Sequence, residues 1–230
     1  MRYAETAVYQ KVREPDMKYK IERNTVQETL ILPLYSRKLC SELYPNLYRD
    51  ETAVRLIDQI DYDFSVAEKN SRSLMQRFGA LEVAMRQCDL AWEVRDYLKT
   101  HPCAAVFFAS GVFYYFLTQQ VRDLVQGMAD AFPGGVLVFD AANRTAVKMI
   151  AKTWLKTAKI KDVGAYFAVS DAKSELSPWD SRLQVSSRGY MLGYSDLKDL
   201  SVSGFFRFLA RIGDNRMKMQ IVRIGFGGRQ

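Results

Sequence analysis

The sequence predicts an α/β fold in which helices cover both faces of a sheet. Two apolar runs, residues 104–109 and residues 136–139, are separated by residues 121–132, where apolar side chains recur at helical spacing. Strand, helix and strand in this order predict a right-handed parallel crossover. Because neither run alternates with polar residues, both strands are expected to be buried on both faces.

The ends of these two strands are the predicted binding site. Ligands of such sheets bind beyond the carboxyl ends of the parallel strands. The first run ends at Ser110 and Gly111 and is followed by Tyr114 and Tyr115, and the second run ends at Asp140. We therefore expect these five residues to lie at the site.

The bulk properties favour one cytoplasmic domain. The chain has 230 residues, of which 48% are hydrophobic, enough for a core of its own. The apolar stretch at residues 104–117 is too short to cross a bilayer. The first residues lack the apolar segment of a secretory signal. We expect no membrane partner.

The charge does not indicate a nucleic-acid partner. The net charge is +7, but basic residues are spread among acidic ones. The densest basic cluster, residues 148–161, alternates with apolar residues at helical spacing, which favours a solvated helix face. Three cysteines, Cys40, Cys88 and Cys103, are far apart in the chain, which favours buried or half-buried thiols over a disulfide framework or a zinc site.

The chain divides into three regions. Residues 1–25 are polar and mixed in charge, and we expect a mobile arm. Residues 26–100 are predicted to form a helical cap, and residues 101–230 carry the sheet.

Helix signals in the cap are clear. A helix is predicted over residues 26–43, with Pro33 near its start or at a kink. Asp50 is a suitable N-cap for the next helix. Two further helices are expected between residues 66 and 98, which lack proline.

The carboxyl-terminal region mixes strands and helices. Residues 164–169 are predicted to be a strand or a short buried segment, and residues 183–194 an extended segment. Ser203 caps a helix that should end at the turn 213–215. In the last strand, residues 217–226, the apolar side chains change parity, which predicts either a bulge or burial on both faces.

Several phrases, taken in order, resemble one family. They occupy residues 28–37, 49–54, 60–64, 84–89, 94–98, 108–116 and 132–140. In order and spacing they are similar to the class I S-adenosylmethionine-dependent methyltransferases of the leucine-carboxyl and polyketide O-methyltransferase group. The resemblance implies a Rossmann-like, seven-stranded sheet beneath a helical lid and substrate cap.

The resemblance also implies contacts to S-adenosyl-L-methionine. Arg86 matches an arginine that pairs with the carboxylate of the cofactor, a role that suits the planar guanidinium. Ser110 and Gly111 match the cofactor motif at a strand end, where many members have glutamate in place of the serine.

The substrate side follows from the same resemblance. Tyr114 and Tyr115 would line the methyl-transfer cavity, and Tyr35 and Arg37 belong to a lid phrase that contacts substrate. The implied reaction is methylation of a carboxylate or hydroxyl of a small molecule.

One part of the family pattern is missing. The start of the family's first strand, at residues 101–106, runs directly into its fourth strand, at residues 107–110. Two βα units, roughly 50 residues, are absent at this join, and with them the Gly-x-Gly loop and the acid that binds the ribose. We therefore expect weak cofactor binding or none.

Two functions remain open at the level of sequence. The first is an O-methyltransferase. The second is a non-catalytic remnant that acts as an interaction protein, and that forms a homo-oligomer through the sheet edge exposed by the missing strands. A single strand across the bond between Val106 and Phe107 would indicate that the sheet has been spliced.

Overall fold

The protein has a mixed α/β fold, with mostly helices in the first hundred residues and the main sheet after them. The computed structural model describes residues 18–22, 25–157, 164–199 and 201–227. The helices are α1 Val26–Leu43, α2 Glu51–Asp58, α3 Ser65–Asn70, α4 Leu74–Thr100, α5 Thr118–Ala131, α6 Arg144–Thr157, α7 Ala172–Leu176 and α8 Gly204–Arg216. The strands are β1 Tyr19–Lys20, β2 Ile60–Asp61, β3 Val106–Ala109, β4 Val136–Ala141, β5 Leu183–Gly189 and β6 Gln220–Phe226.

Four of the strands form the central sheet in the order β3-β4-β6-β5. The predicted parallel crossover is confirmed, because β3 and β4 run parallel and are joined by α5. Strand β6 is antiparallel to both of its neighbours. Strand β3 begins at Val106, so the bond between Val106 and Phe107 is its first, and residues 101–105 precede it without strand pairing. The sheet order leaves β3 at an edge, and it is half-buried rather than buried on both faces as expected.

Strand β4 is the centre of two hydrophobic cores. All six of its residues are buried, as predicted for a strand covered on both faces. Val136 and Val138 belong to a core shared with α1, α4 and α8, whereas Leu137 and Phe139 belong to one shared with α5 and α7. The period of two along a strand explains this division.

The helices of the cap agree with the sequence signals. Helix α1 contains Pro33 in its interior. The carboxylate of Asp50 accepts a hydrogen bond from the amide of Ala53 at 2.8 Å, which caps α2. Ser73 caps α4 in the same way. Because α1 and α4 share a core with the sheet, the cap packs on the sheet directly.

Three expectations for the carboxyl-terminal region are refined. Residues 164–169 have no strand pairing, and only Phe167 and Val169 are buried, whereas Tyr166 is exposed. The Val169 amide donates to the Ala142 carbonyl at 2.9 Å. Strand β5 ends at Gly189, and the pairing of β6 is continuous, so its parity change reflects burial on both faces.

The turn expected at residues 213–215 is wrong. Helix α8 continues to Arg216, and Gly213 is buried within it. The carboxylate of Asp214 accepts hydrogen bonds from the amides of Met191 and Leu192. Its hydrogen-bond donors are thus distant in the chain, so the Asp214 carboxylate does not bond to neighbouring backbone amides as it would in a local turn.

The amino terminus is described only in part, and the three cysteines differ in exposure. Most of the arm expected at residues 1–25 lies outside the described residues, although β1 pairs with β2. Cys103 is exposed, contrary to expectation, whereas Cys40 is buried and Cys88 half-buried. Among the helices described, none is both long enough and apolar enough to span a membrane.

Replacing Phe139 with alanine should test the core that β4 shares with α5 and α7. Its ring lies 5.0 Å from that of Phe113 and 6.1 Å from that of Phe167. The cavity left behind should lower the free energy of unfolding by about 3–5 kcal/mol, measured by urea denaturation. Phe208→Ala is the matched control, because Phe208 is 55% exposed. An equal loss for the two variants would contradict this placement of Phe139.

Candidate functional site

Three of the predicted site residues meet beyond the ends of β3 and β4. The Arg86 guanidinium, from the middle of α4, lies 3.2 Å from the carboxylate of Asp140, near the end of β4. The Gly111 amide, just after β3, donates to the same carboxylate at 2.6 Å. The structure thus brings together Arg86, Gly111 and Asp140.

Local backbone geometry makes this meeting feasible. Gly111 has a φ of +67°, in the left-handed region where residues with a side chain are disfavoured. A Cβ built on Gly111 would lie 3.6 Å from the Arg86 guanidinium, an ordinary contact, so the positive φ and not crowding favours glycine here. In this conformation the Gly111 amide points at Asp140.

A second set of polar groups adjoins the ion pair. Glu82, one helical turn before Arg86, accepts a hydrogen bond from the Tyr190 hydroxyl at 2.9 Å. Tyr114 and Tyr190 are both buried. We call Glu82, Arg86, Gly111, Tyr114, Asp140 and Tyr190 the Arg86 cluster.

Burial and neighbouring charges together set the protonation states in the cluster. Burial acts to lower the pKa of Arg86, but the negative groups around it, Asp140 foremost, raise it overall. Burial and then the charge of Asp140 raise the pKa of Tyr114 well above 10.0. Burial also raises the pKa of Glu82, and the Tyr190 hydrogen bond and the charge of Arg86 offset this only in part. Arg86 therefore stays charged, and the Tyr114 hydroxyl stays protonated.

The cluster keeps one unused hydrogen-bond donor. The Arg86 Nε is buried and has no hydrogen-bond partner among the described residues. A guanidinium has five N–H donors, and a carboxylate can accept two of them in parallel. The cluster contains no cysteine or histidine, and Ser110 directly precedes its member Gly111.

Ser110 and Tyr115 border the cluster from the outside. Ser110 follows the last residue of β3 and is exposed. Tyr115 is 39% exposed, while its neighbour Tyr114 is buried in the core that faces α4. Of the two tyrosines, Tyr115 is therefore the one that a ligand can reach.

Tyr35 and Arg37 are engaged elsewhere. Tyr35 is buried and stacks on Phe64 with 5.4 Å between the ring centroids. The Arg37 Nε donates to the Asp50 carboxylate at 2.8 Å, and the Tyr48 hydroxyl donates to the same carboxylate at 2.9 Å. Both residues thus hold the cap together in this structure.

Two surface pockets lie apart from the cluster. One, of about 660 Å³, is next to the start of α8, and the other, of about 270 Å³, is at the ends of β5 and β6. They are lined respectively by Leu192, Asp196, Lys198, Asp199, Val202, Arg207 and Arg211, and by Ser170, Asp171, Ser187, Arg188, Gly189, Asp214, Lys218 and Gln220. Neither pocket is lined by a residue of the Arg86 cluster.

Sequence reasoning missed two members of the cluster and one buried acid. Glu82 and Tyr190 carry no motif; the only available signal for Glu82 was its spacing of four residues from Arg86. Asp89 is only 5% exposed and accepts no hydrogen bond from the residues described. Glu93 and Asp214 are its charged neighbours.

Comparisons of the chain with protein-family models, with curated proteins and with solved structures give no match. The methyltransferase resemblance therefore stays a prediction. Among the described residues, no group of three or more histidine, cysteine, aspartate or glutamate side chains is arranged to hold a metal ion.

Asp140→Asn should expose the dependence of the fold on the ion pair. The side chain of Asp140 is 1% exposed, and removing its charge takes away the ion-pair partner of the buried Arg86. We expect a loss of about 3 kcal/mol in the free energy of unfolding. Glu42→Gln, which removes a surface pair with Lys38 at 3.1 Å, should cost less than about 0.5 kcal/mol. Similar costs for both variants would argue against a structural ion pair.

Asp89 should make stability depend on pH. Burial, then the charges of Asp214 and Glu93, raises its pKa from 3.8 to about 8. Between these two values the folded protein keeps a proton that the unfolded chain releases. Stability should therefore fall as pH rises through this window, by at most about 1.4 kcal/mol per pH unit, and this contribution should level off above it.

Urea denaturation across this pH range measures the effect. Asp89→Asn should have a shallower slope and should be more stable than the natural protein at the alkaline end, because the amide cannot ionise. Parallel slopes for the two proteins would show that Asp89 titrates normally.

Proposed function

We propose that this chain is an S-adenosylmethionine-dependent O-methyltransferase by descent, of the leucine-carboxyl and polyketide group, with a reduced cofactor site. In this proposal the cap and the carboxyl-terminal half of a seven-stranded, Rossmann-like sheet are kept. The substrate class is a small molecule with a carboxylate or a hydroxyl.

The position of Arg86 is the observation that supports the proposal most. Its charge lies beyond the carboxyl ends of two parallel strands, where ligands of α/β sheets bind. The resemblance assigns this arginine to the carboxylate of the cofactor. Among the described residues the Arg86 Nε has no partner, but it is buried, so a ligand could use this donor only if the site opened.

The count of strands is consistent with the same history. Among the described residues the central sheet has four strands, the number left when the second and third of seven are lost and the first is joined to the fourth. Strand β3 begins at Val106, directly at the expected join, and has a partner on one side only among the described residues. An open edge at this strand is consistent with the loss of the strands that precede it.

The described residues fit only one end of the cofactor. Arg86 and Gly111 suit the amino-acid end, whereas no Gly-x-Gly loop opens a helix after a strand and no acid from a second strand is present for the ribose. The cofactor would supply the methyl group, and the protein would have to align it with the acceptor oxygen. Without the adenosine contacts that alignment is poor, so we derive no transfer step.

Binding experiments test the proposal from both sides. Calorimetry with S-adenosylmethionine should show no saturable heat at micromolar concentrations. At millimolar concentrations, methionine and S-adenosylmethionine should shift the NMR signals of Arg86, Gly111 and Tyr115, whereas adenosine should not. Arg86→Lys should weaken these shifts, because the ammonium group lacks the two-bond fork.

Two outcomes would contradict parts of the proposal. A micromolar affinity for S-adenosylmethionine would show that the cofactor site is complete. An absence of shifts with methionine, in a protein whose spectrum is otherwise that of a folded chain, would show that the Arg86 cluster is not a remnant of an amino-acid site.

A further inference from the structure

Strand β3 exposes backbone groups that lack partners. Val106 is in register with Val136, and the Val136 amide donates to the Ala105 carbonyl at 2.9 Å. In a parallel ladder this turns the backbone groups of alternate residues, including Phe107, towards β4. The N–H and C=O groups of Val106 and Phe108 therefore point outward, and no described residue bonds to them.

The same edge is free of charge. No charged residue occurs between Pro102 and Val121, although the chain as a whole carries a net charge of +7. Edge strands of monomeric proteins usually carry charges or proline that prevent pairing. The opposite edge strand, β5, has such a charge in Arg188, which is exposed and packs over Trp92.

Large apolar side chains accompany the open edge. Phe108 is 70% exposed. The turn that follows β3 adds Val112, Phe116 and Leu117, each more than 40% exposed. Apolar surface next to an unpaired strand is typical of a protein interface.

We propose that two copies of this chain pair through β3, antiparallel, about a two-fold axis at Phe107. In this register Val106 of each copy lies opposite Phe108 of the other, so the outward backbone groups of each strand bond to those of its mate. The two sheets then join into one continuous sheet. This proposal does not depend on the methyltransferase proposal.

A second copy is the occupant that the geometry of the edge favours. Because no charged residue lies between Pro102 and Val121, pairing of two copies brings no like charges into contact there. The outward groups of Val106 and Phe108 are self-complementary under a two-fold rotation. Such an isologous contact closes on itself and yields a dimer rather than a fibre.

Sedimentation velocity over a concentration series tests the dimer. The natural chain should sediment as a dimer at micromolar concentrations. Phe108→Lys should weaken dimerisation at least about tenfold, because it puts a charge at the centre of the contact. Phe208→Lys, at a similarly exposed phenylalanine on α8, is the matched control and should remain dimeric. Circular dichroism should show that both variants are folded.

Hydrogen exchange provides a test that needs no variant. The amides of Val106 and Phe108 should exchange more slowly as the protein concentration rises, while other exposed amides should not change. A chain that is monomeric at hundreds of micromolar would overturn the proposal and leave the edge to a strand of another protein. A dimer that survives Phe108→Lys, with fast exchange at Val106 and Phe108, would place the interface elsewhere and would also overturn it.

Discussion

The charge of Arg86 is the condition on which the centre of this protein depends. Strand β4 is buried along its whole length and carries the carboxylate of Asp140, a group that is expensive to bury without a partner. Arg86 from α4 and the Gly111 amide after β3 supply that partner. The Asp140 carboxylate thus joins the cap, the edge strand and the central strand at one point. The same requirement limits what else Arg86 can bind, because part of its donor capacity is already used.

Much of the fold could be predicted because the signals were local. The N-caps at Asp50 and Ser203 and the buried run of β4 follow from residue type and periodicity, which act over a few positions. Misjudged features have distant causes. Asp214 reads as a turn residue in sequence, yet its carboxylate is used by amides more than twenty positions earlier, so α8 continues. The antiparallel place of β6 between β4 and β5 also depends on tertiary packing.

The residues of the candidate site also fall into those that sequence reasoning could find and those that it could not. Gly111 and Asp140 could be found because strand ends predict binding sites, and Arg86 was found by resemblance. Glu82 and Tyr190 could not, since their contact joins positions 108 residues apart. Tyr35 and Arg37 show the opposite case: a lid phrase was recognisable, but their contacts with Phe64 and Asp50 depend on how the cap folds on itself. Sequence reasoning locates residue types better than their partners.

Strand β3 has one further consequence. Its side chains alternate between the two cores, with Val106 packed on the α4 side and Phe107 and Ala109 on the α5 side. Because one residue more or less would turn every following side chain to the opposite face, the number of residues in β3 sets its phase, that is, which core each of its side chains faces. Chain segments that lengthen this strand by an even number of residues would preserve that phase, and odd ones would lose it.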